Sequence, residues 1–196
     1  MQSLSEDERR EILRVARESL EEAVIHGRLM QPFPEDGIFR RRAGVFVTLH
    51  RKGKLRGCIG VIQPREGLGE SVVRAALGAA LEDPRFCKMV PVELEEVQIE
   101  VSLLSEMEQT VPEAIQVGRD GLLIESGLQR GLLLPQVAVE HRLTREQFLD
   151  ETCHKAGLQR GAWKDPATKI YRFSCEIIAE KYQDKSPRIR QDSRAE

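Results

Sequence analysis

"AGVFVTLHRKGKLRGCIGVI", residues 43–62, decides how this chain folds. Residues 43–50 are rich in β-branched and aromatic side chains, "RKGK" reads as a turn, and "LRGCIGVI" reads as the returning strand of a hairpin. Side chains on a strand alternate between its two faces. Leu55, Ile59 and Val61, with Gly57 among them, make an apolar face, while Arg56, Cys58 and Gly60 point the other way. The apolar set belongs on a core, so Arg56 and Cys58 share the opposite face. Second neighbours on a strand are roughly 6–7 Å apart, close enough for a guanidinium to favour a thiolate. Gly57 and Gly60 weaken a strand unless a bulge, a bend or the close approach of a ligand or another backbone requires them.

A later strand, "VQIEVSLL" (97–104), repeats the division: Ile99, Val101 and Leu103 are apolar, and Gln98, Glu100 and Ser102 are polar. In one sheet, Arg56, Cys58, Glu100 and Ser102 would line a common surface. The alternative is a solvent-exposed Arg56–Glu100 ion pair of little energetic weight.

Around these strands the pattern is mixed. Ser5 and Glu8 have capping-box spacing ahead of a helix that Gly27 ends. A second helix is predicted over Leu68–Glu82, and a hairpin over "GLLIESGLQRGLLLP" (121–135). A short helix starts at Pro135, and another, capped by Thr144 and Gln147, is closed by Gly157. "TKIYRFSCEII" (168–178) reads as one last strand. Hairpins outnumber helical crossovers, which predicts an α+β fold with mainly antiparallel sheets and flanking helices rather than a doubly wound one. The expected organisation is one domain over 1–183 and a polar, disordered tail over 184–196.

Composition excludes several classes. A net charge of −2 gives no basic field to draw the protein to nucleic acid. Arg40-Arg41-Arg42 reads as a solvated loop. Apolar runs are too short for a membrane span, and the charged N-terminus lacks a signal-peptide core, so a cytoplasmic protein with reduced thiols is expected. Cys58, Cys87, Cys153 and Cys175 show no short pairing, and none of the four histidines can be placed beside Cys58, so neither a dyad nor a metal site is predicted. Cys175, in register with Tyr171, Phe173 and Ile177, reads as a core residue. Cys153-His154 are helical neighbours that do not face each other. "GLGESV" (67–72) lacks the third glycine of a dinucleotide loop, and no cofactor is predicted.

"FVTL…GKLRGCIG", "EDPRF" (82–86), "EVSLLS" (100–105), "GLLIE…RGLLLPQVAVE" (121–140), "CHKAGL" and "AWKDPATKIYRF" occur in an order that resembles the AMMECR domain family, whose prokaryotic members are called AmmeMemoRadiSam system protein A. The resemblance runs from about Ile38 to Ile178. It implies a two-lobed α+β domain, the larger lobe built from both chain ends and the smaller from the middle, with a cleft between. Carried onto matching positions, it implies Arg56, Cys58, Asp83, Arg85, Glu100, Arg130, Gln136 and Glu140 as cleft residues. It also implies association with a Memo-like protein and a radical-SAM protein. The chain has no CxxxCxxC motif and would not be the radical enzyme. Two readings follow. One is an accessory component binding a small ligand or a partner, with Arg56, Gly57, Gly60, Asp83, Arg85, Arg130, Gln136 and Glu140 at the ligand. The other is an enzyme with Cys58 as nucleophile, Arg56 activating it and Glu100 as acid or base.

Overall fold

The hairpin forms as its pattern requires, with one irregularity that re-aims a side chain. In the computed structural model, which describes residues 4–180, β1 (Val45–Arg51) pairs antiparallel with β2 (Lys54–Val61). Thr48 lies opposite Cys58, and Leu49 opposite Gly57, but His50 lies opposite Leu55. Arg56 is therefore the extra residue of a bulge, and the strand beyond it is offset by one. Leu55 consequently leaves the core face on which alternation placed it and is exposed.

β3 (Val97–Leu104) pairs on the other side of β1, and β8 (Cys175–Ala179) pairs with β3, giving the order β2-β1-β3-β8. One face of this sheet carries Val45, Val47, Leu49, Ile99, Val101 and Leu103, all buried. Two helices cover it. α1 (Glu6–His26) starts at the expected capping box: Ser5 Oγ accepts from the Glu8 amide at 3.2 Å, and Glu8 Oε2 accepts from the Ser5 amide at 2.8 Å. Gly27 ends it in the left-handed region. α2 (Leu68–Leu81) is rich in alanine, which lets it lie close to both α1 and the sheet.

The middle of the chain builds a second antiparallel sheet, β4 (Glu108–Gln109), β7 (Lys169–Phe173), β5 (Gly121–Ser126) and β6 (Gln129–Leu133), in the order β4-β7-β5-β6. α3 (Pro135–Glu140) and α4 (Arg145–Lys155) follow it. Phe148, Leu149 and Cys153 of α4 pack on Leu122, Ile124 and Ile170, a core separate from that of the first sheet. The α+β class with antiparallel sheets is thus the observed one.

The strand predicted over 168–178 is two strands in different sheets, broken at Ser174. Phe173 is the last residue to pair with β5, and Cys175 the first to pair with β3. The chain crosses the same gap in the other direction at Ser105, and the crossings are laced together. The Ser105 amide donates to the Ser174 carbonyl at 2.9 Å, and the Ser174 amide donates to Ser105 Oγ at 2.9 Å. Alternation continued through Ser174 cannot reveal this, because apolar residues recur in phase on both sides of it. The expected domain end at 183 and the tail over 184–196 lie outside the described residues. No helix among the described residues is long and apolar enough to cross a membrane.

Candidate functional site

β2 is an outer strand, so alternate amides and carbonyls point away from β1 and need other partners. At Cys58 both outward groups are taken by side chains. Its N–H donates to Asp83 Oδ2 at 2.8 Å, and its carbonyl accepts from Arg85 Nη2 at 3.3 Å. Asp83 and Arg85 are themselves joined, Nε to Oδ1 at 2.9 Å and Nη2 to Oδ2 at 2.7 Å. The "EDPRF" loop therefore clamps "LRGCIG" where a neighbouring strand would pair. Asp83 is buried and Arg85 half exposed. Arg85 holds the Asp83 carboxyl well below the usual carboxylate range, against the opposing effect of burial and with help from the Cys58 amide.

Arg56 does not stand beside the Cys58 thiol, as alternation predicts, because the bulge turns it toward Glu93. Its Nε and Nη2 form a fork on the two Glu93 oxygens, 2.9 Å each. Arg51, at the other side of the hairpin turn, reaches the same carboxylate at 2.9 Å. Arg56 is the main cause of the Glu93 carboxyl's fall to about 2; burial opposes it, and the Val90 amide and Arg51 add to it. The Phe86 ring lies 6.0 Å from the Arg56 guanidinium carbon and 5.5 Å from that of Arg85.

Both glycines of the motif are occupied from within the chain. A Cβ on Gly57 would stand 2.0 Å from the Ala79 carbonyl oxygen of α2. A Cβ on Gly60 would meet the Val45 carbonyl oxygen at 2.3 Å and the Phe46 ring at 2.5 Å.

The polar face opposite the core brings several expected residues together. Thr48 lies opposite Cys58 on one side and Glu100 on the other, so all three share a face, as alternation predicts for Cys58 and Glu100. Thr48 Oγ1 donates to Cys58 Sγ at 3.3 Å. Cys58 and Glu100 are two strand spacings apart, roughly 9–10 Å, too far for direct proton transfer. Further across lies Ser102, fully buried, with the Cys175 thiol beside it and Gln136 of α3 arriving from the second sheet's side. Burial pushes the Cys175 thiol up to about 11, while Ser102 and Gln136 act in the opposite sense. Ser102 Oγ and Gln136 Oε1 are buried without a hydrogen-bond partner among the described residues. Cys175 thus faces this polar surface rather than the apolar core in which sequence places it.

Arg130 of β6 pairs with its cross-strand neighbour Glu125 at 2.6 Å and donates to Gln63 Oε1, just after β2, at 3.2 Å. Glu140 is exposed at the end of α3 and joins none of these groups. Cys153 is buried in the second core, and burial raises its pKa, while His154 is exposed. Among the described residues no group of three or more His, Cys, Asp or Glu is arranged to hold a metal ion. Sequence reasoning missed Thr48, Glu93 and Phe86. Thr48 was within reach, since Phe46, Thr48 and His50 alternate with Val45, Val47 and Leu49. Glu93 carries no periodic signal.

Fold and site define an α+β protein of two antiparallel sheets, with an internally clamped outer strand and a polar face near the passage from one sheet to the other. The chain belongs to the AMMECR1 family, whose family model matches residues 13–178. It is 48% identical over 184 residues to Protein TK0174 of Thermococcus kodakarensis, covering 87% of this chain and 89% of that one. A protein of Methanothermobacter thermautotrophicus is 45% identical over 186 residues, covering 90% and 96%. The crystal structure of Uncharacterized Protein PH0010 from Pyrococcus horikoshii superimposes with a TM-score of 0.81 at 42% identity, covering 87% of this chain and 90% of that one.

Proposed function

We propose that the protein is a non-catalytic cytoplasmic component that seats a small ligand or a partner segment on the polar face of its first sheet. In this reading it works beside a Memo-like protein and a radical-SAM protein. The observation that carries it is a pair of buried polar atoms on that face, the Ser102 hydroxyl and Gln136 Oε1, contributed by the two sides of the chain crossing. Among the described residues neither has a hydrogen-bond partner of good geometry, with only the Cys175 thiol beside them. Buried polar atoms of this kind need a partner, and an incoming donor group supplies one. Gln136 and Glu100 would contact that ligand, and Arg130, tied to Gln63, would hold the two sides in register. Arg56, Asp83 and Arg85 would keep the outer strand in place through their ion pairs with one another and with Glu93. Arg56 Nη1 is nonetheless left buried without a partner among the described residues, and Arg85, whose charge is stabilised chiefly by Asp83, is also stabilised by Cys58. Glu140, exposed on α3, is left for the partner.

The competing reading makes Cys58 a nucleophile with Glu100 as acid or base. Their common face favours it, as does the half-exposed Arg85, whose charge Asp83 chiefly and Cys58 also stabilise. The engagement of Arg56 by Glu93 and of Arg85 by Asp83 disfavours it. Two measurements separate the readings. Alkylation by iodoacetamide near neutral pH, followed by mass spectrometry of each thiol, is expected to modify Cys58 no faster than the exposed Cys87. Size-exclusion chromatography with purified Memo-like and radical-SAM proteins is expected to show co-elution. Turnover by the protein alone, abolished by Cys58→Ala, would overturn the non-catalytic reading. The absence of a complex with either protein would overturn the association.

A further inference from the structure

A cleft of about 770 Å³ opens at the join of the two sheets; Cys58, Ser102 and Gln136 are not among the residues that line it. Its walls carry four arginines, Arg41, Arg42, Arg119 and Arg172, and three carboxylates. Two of the arginines are neutralised. Arg119 pairs with the buried Asp120 at 2.7 Å, and Arg172 pairs with Glu108 at 3.1 Å. Burial opposes the charge on Asp120, but Arg119 and the Gln116 amide outweigh it and keep that carboxyl below its ordinary range.

Arg41 and Arg42 are different. Among residues 4–180 every arginine except Arg41, Arg42, Arg65 and Arg142 has a guanidinium nitrogen within 4.0 Å of a carboxylate oxygen. Two of these four exceptions are consecutive residues on this one cleft. Of the carboxylates that line it, Glu106 has no ion-pair partner among the described residues, and the Arg41 charge also acts on Glu8 of α1 from beyond ion-pair distance. Beneath them lie Leu68, Leu103 and Phe173. Two guanidinium forks without a carboxylate in ion-pair contact suit a dianionic phosphate, which each can meet through paired N–H···O bonds. The cleft lies within the range of roughly 300–1,000 Å³ typical of small-molecule sites, far more than a bare phosphate fills.

We propose that this junction cleft binds a small phosphorylated metabolite. Arg41 and Arg42 hold the phosphate, Glu106 accepts from an amine or hydroxyl on the body of the ligand, and the apolar floor carries the rest. Arg41, Arg42 and Glu106 are distinct from Ser102 and Gln136, so either site can fail without the other. Because residues on both sheets line it, the ligand would also strengthen the join at Ser105 and Ser174.

The probe is O-phosphoserine, which carries both a phosphate and an amine, titrated into the full-length ¹⁵N-labelled protein, with serine and inorganic phosphate as separate arms. Saturable shifts are expected at residues 41–43, 104–106 and 119–120, weaker with phosphate alone and absent with serine. In R41A/R42A the affinity is expected to fall at least about tenfold. R65A, which removes an unpaired arginine outside the cleft, is expected to leave it unchanged. Both variants are expected to keep the fold, because those side chains are exposed and the bond from the Leu68 amide to residue 41 uses the backbone carbonyl. No saturable shift, shifts spread equally over Arg65 and Arg142, or equal weakening by R65A would each overturn the proposal.

Discussion

Gly57→Ala tests what the glycines of "LRGCIG" are for. The added methyl would stand 2.0 Å from the Ala79 carbonyl oxygen and 3.0 Å from its carbonyl carbon. Carbon–oxygen contact distance is about 3.3 Å, so α2 must retreat by more than about 1 Å or β2 must bend away. Neither gives easily. α2 is packed against α1 on one side and against β1 and β2 on the other, and Cys58, the next residue, is fixed by Asp83 and Arg85. Overpacking of this kind costs about 1–3 kcal/mol, occasionally more, and backbone facing the new methyl places Gly57 at the upper end. Replacing a strand glycine returns about 0.5–1 kcal/mol through the unfolded state. The net expectation is a loss of about 2 kcal/mol, or roughly 4–8 °C in Tm for a chain of this size. Urea unfolding followed by far-UV circular dichroism reads it directly, with a lower midpoint and an unchanged slope. A loss below about 0.5 kcal/mol, within the ordinary scatter of surface substitutions, would refute the packing explanation and return Gly57 to the list of positions kept open for a ligand.

Two further outcomes follow from the clamp on the outer strand. Asp83→Ala removes the acceptor for the Cys58 amide and leaves Arg85 unpaired; a buried donor stripped of its partner costs about 1–3 kcal/mol. Hydrogen exchange should show the Cys58 amide protected in the wild type and exchanging roughly 5- to 150-fold faster in the variant, as a fall of about 1–3 kcal/mol in the free energy of local opening implies; equal protection would sink the clamp. For acid stability, Asp83 and Glu93 both have folded pKa values below their unfolded ones, Glu93 at about 2. A lowered carboxylate contributes stability that is fully present above its unfolded pKa, about 4. That contribution is lost as pH falls toward the folded value, so stability should decline from about pH 5 downward, over the range where the unfolded chain takes up the protons. Glu93→Gln should be less stable at neutral pH and show a flatter acid limb; a parallel curve would refute the role given to Glu93.

Much of the fold was legible because it rests on local chemistry. Ser5 with Glu8 and Thr144 with Gln147 mark two helix starts through bonds made within one turn, and the β1–β2 hairpin is written in its own alternation. What could not be read is what depends on partners distant in sequence. A single extra residue at Arg56 shifts the strand. Gly57 beside it allows a bulge among other readings, but only the pairing with β1 and the distant Glu93 carboxylate show that the bulge is there and where Arg56 goes. The same limit explains Ser174. Its neighbours Phe173 and Cys175 are equally suitable for either sheet, and only the pairing of β7 with β5 and of β8 with β3 separates them. For the site, alternation gave the shared face of Cys58, Glu100 and Ser102. It could not add Gln136, which reaches that face from α3.

The hallmark stretches therefore bear on function less directly than their distinctness as family markers suggests. In "LRGCIG", Arg56 is bound to Glu93, Gly57 admits the Ala79 carbonyl, Gly60 lies against Val45 and Phe46, and the Cys58 backbone is held by "EDPRF". Each requirement is architectural, and each would restrict the sequence even in a protein with no chemistry at this strand. What architecture does not use is the Cys58 side chain, facing Thr48, one nitrogen of Arg56, and the buried Ser102 hydroxyl and Gln136 carbonyl further across the same surface. A rigid outer strand and an unsatisfied polar interior suit a seat for something that brings its own hydrogen-bond donors. Tests of function therefore belong on Ser102, Gln136 and Glu100, because changes within "RG" of the motif will register first as lost stability.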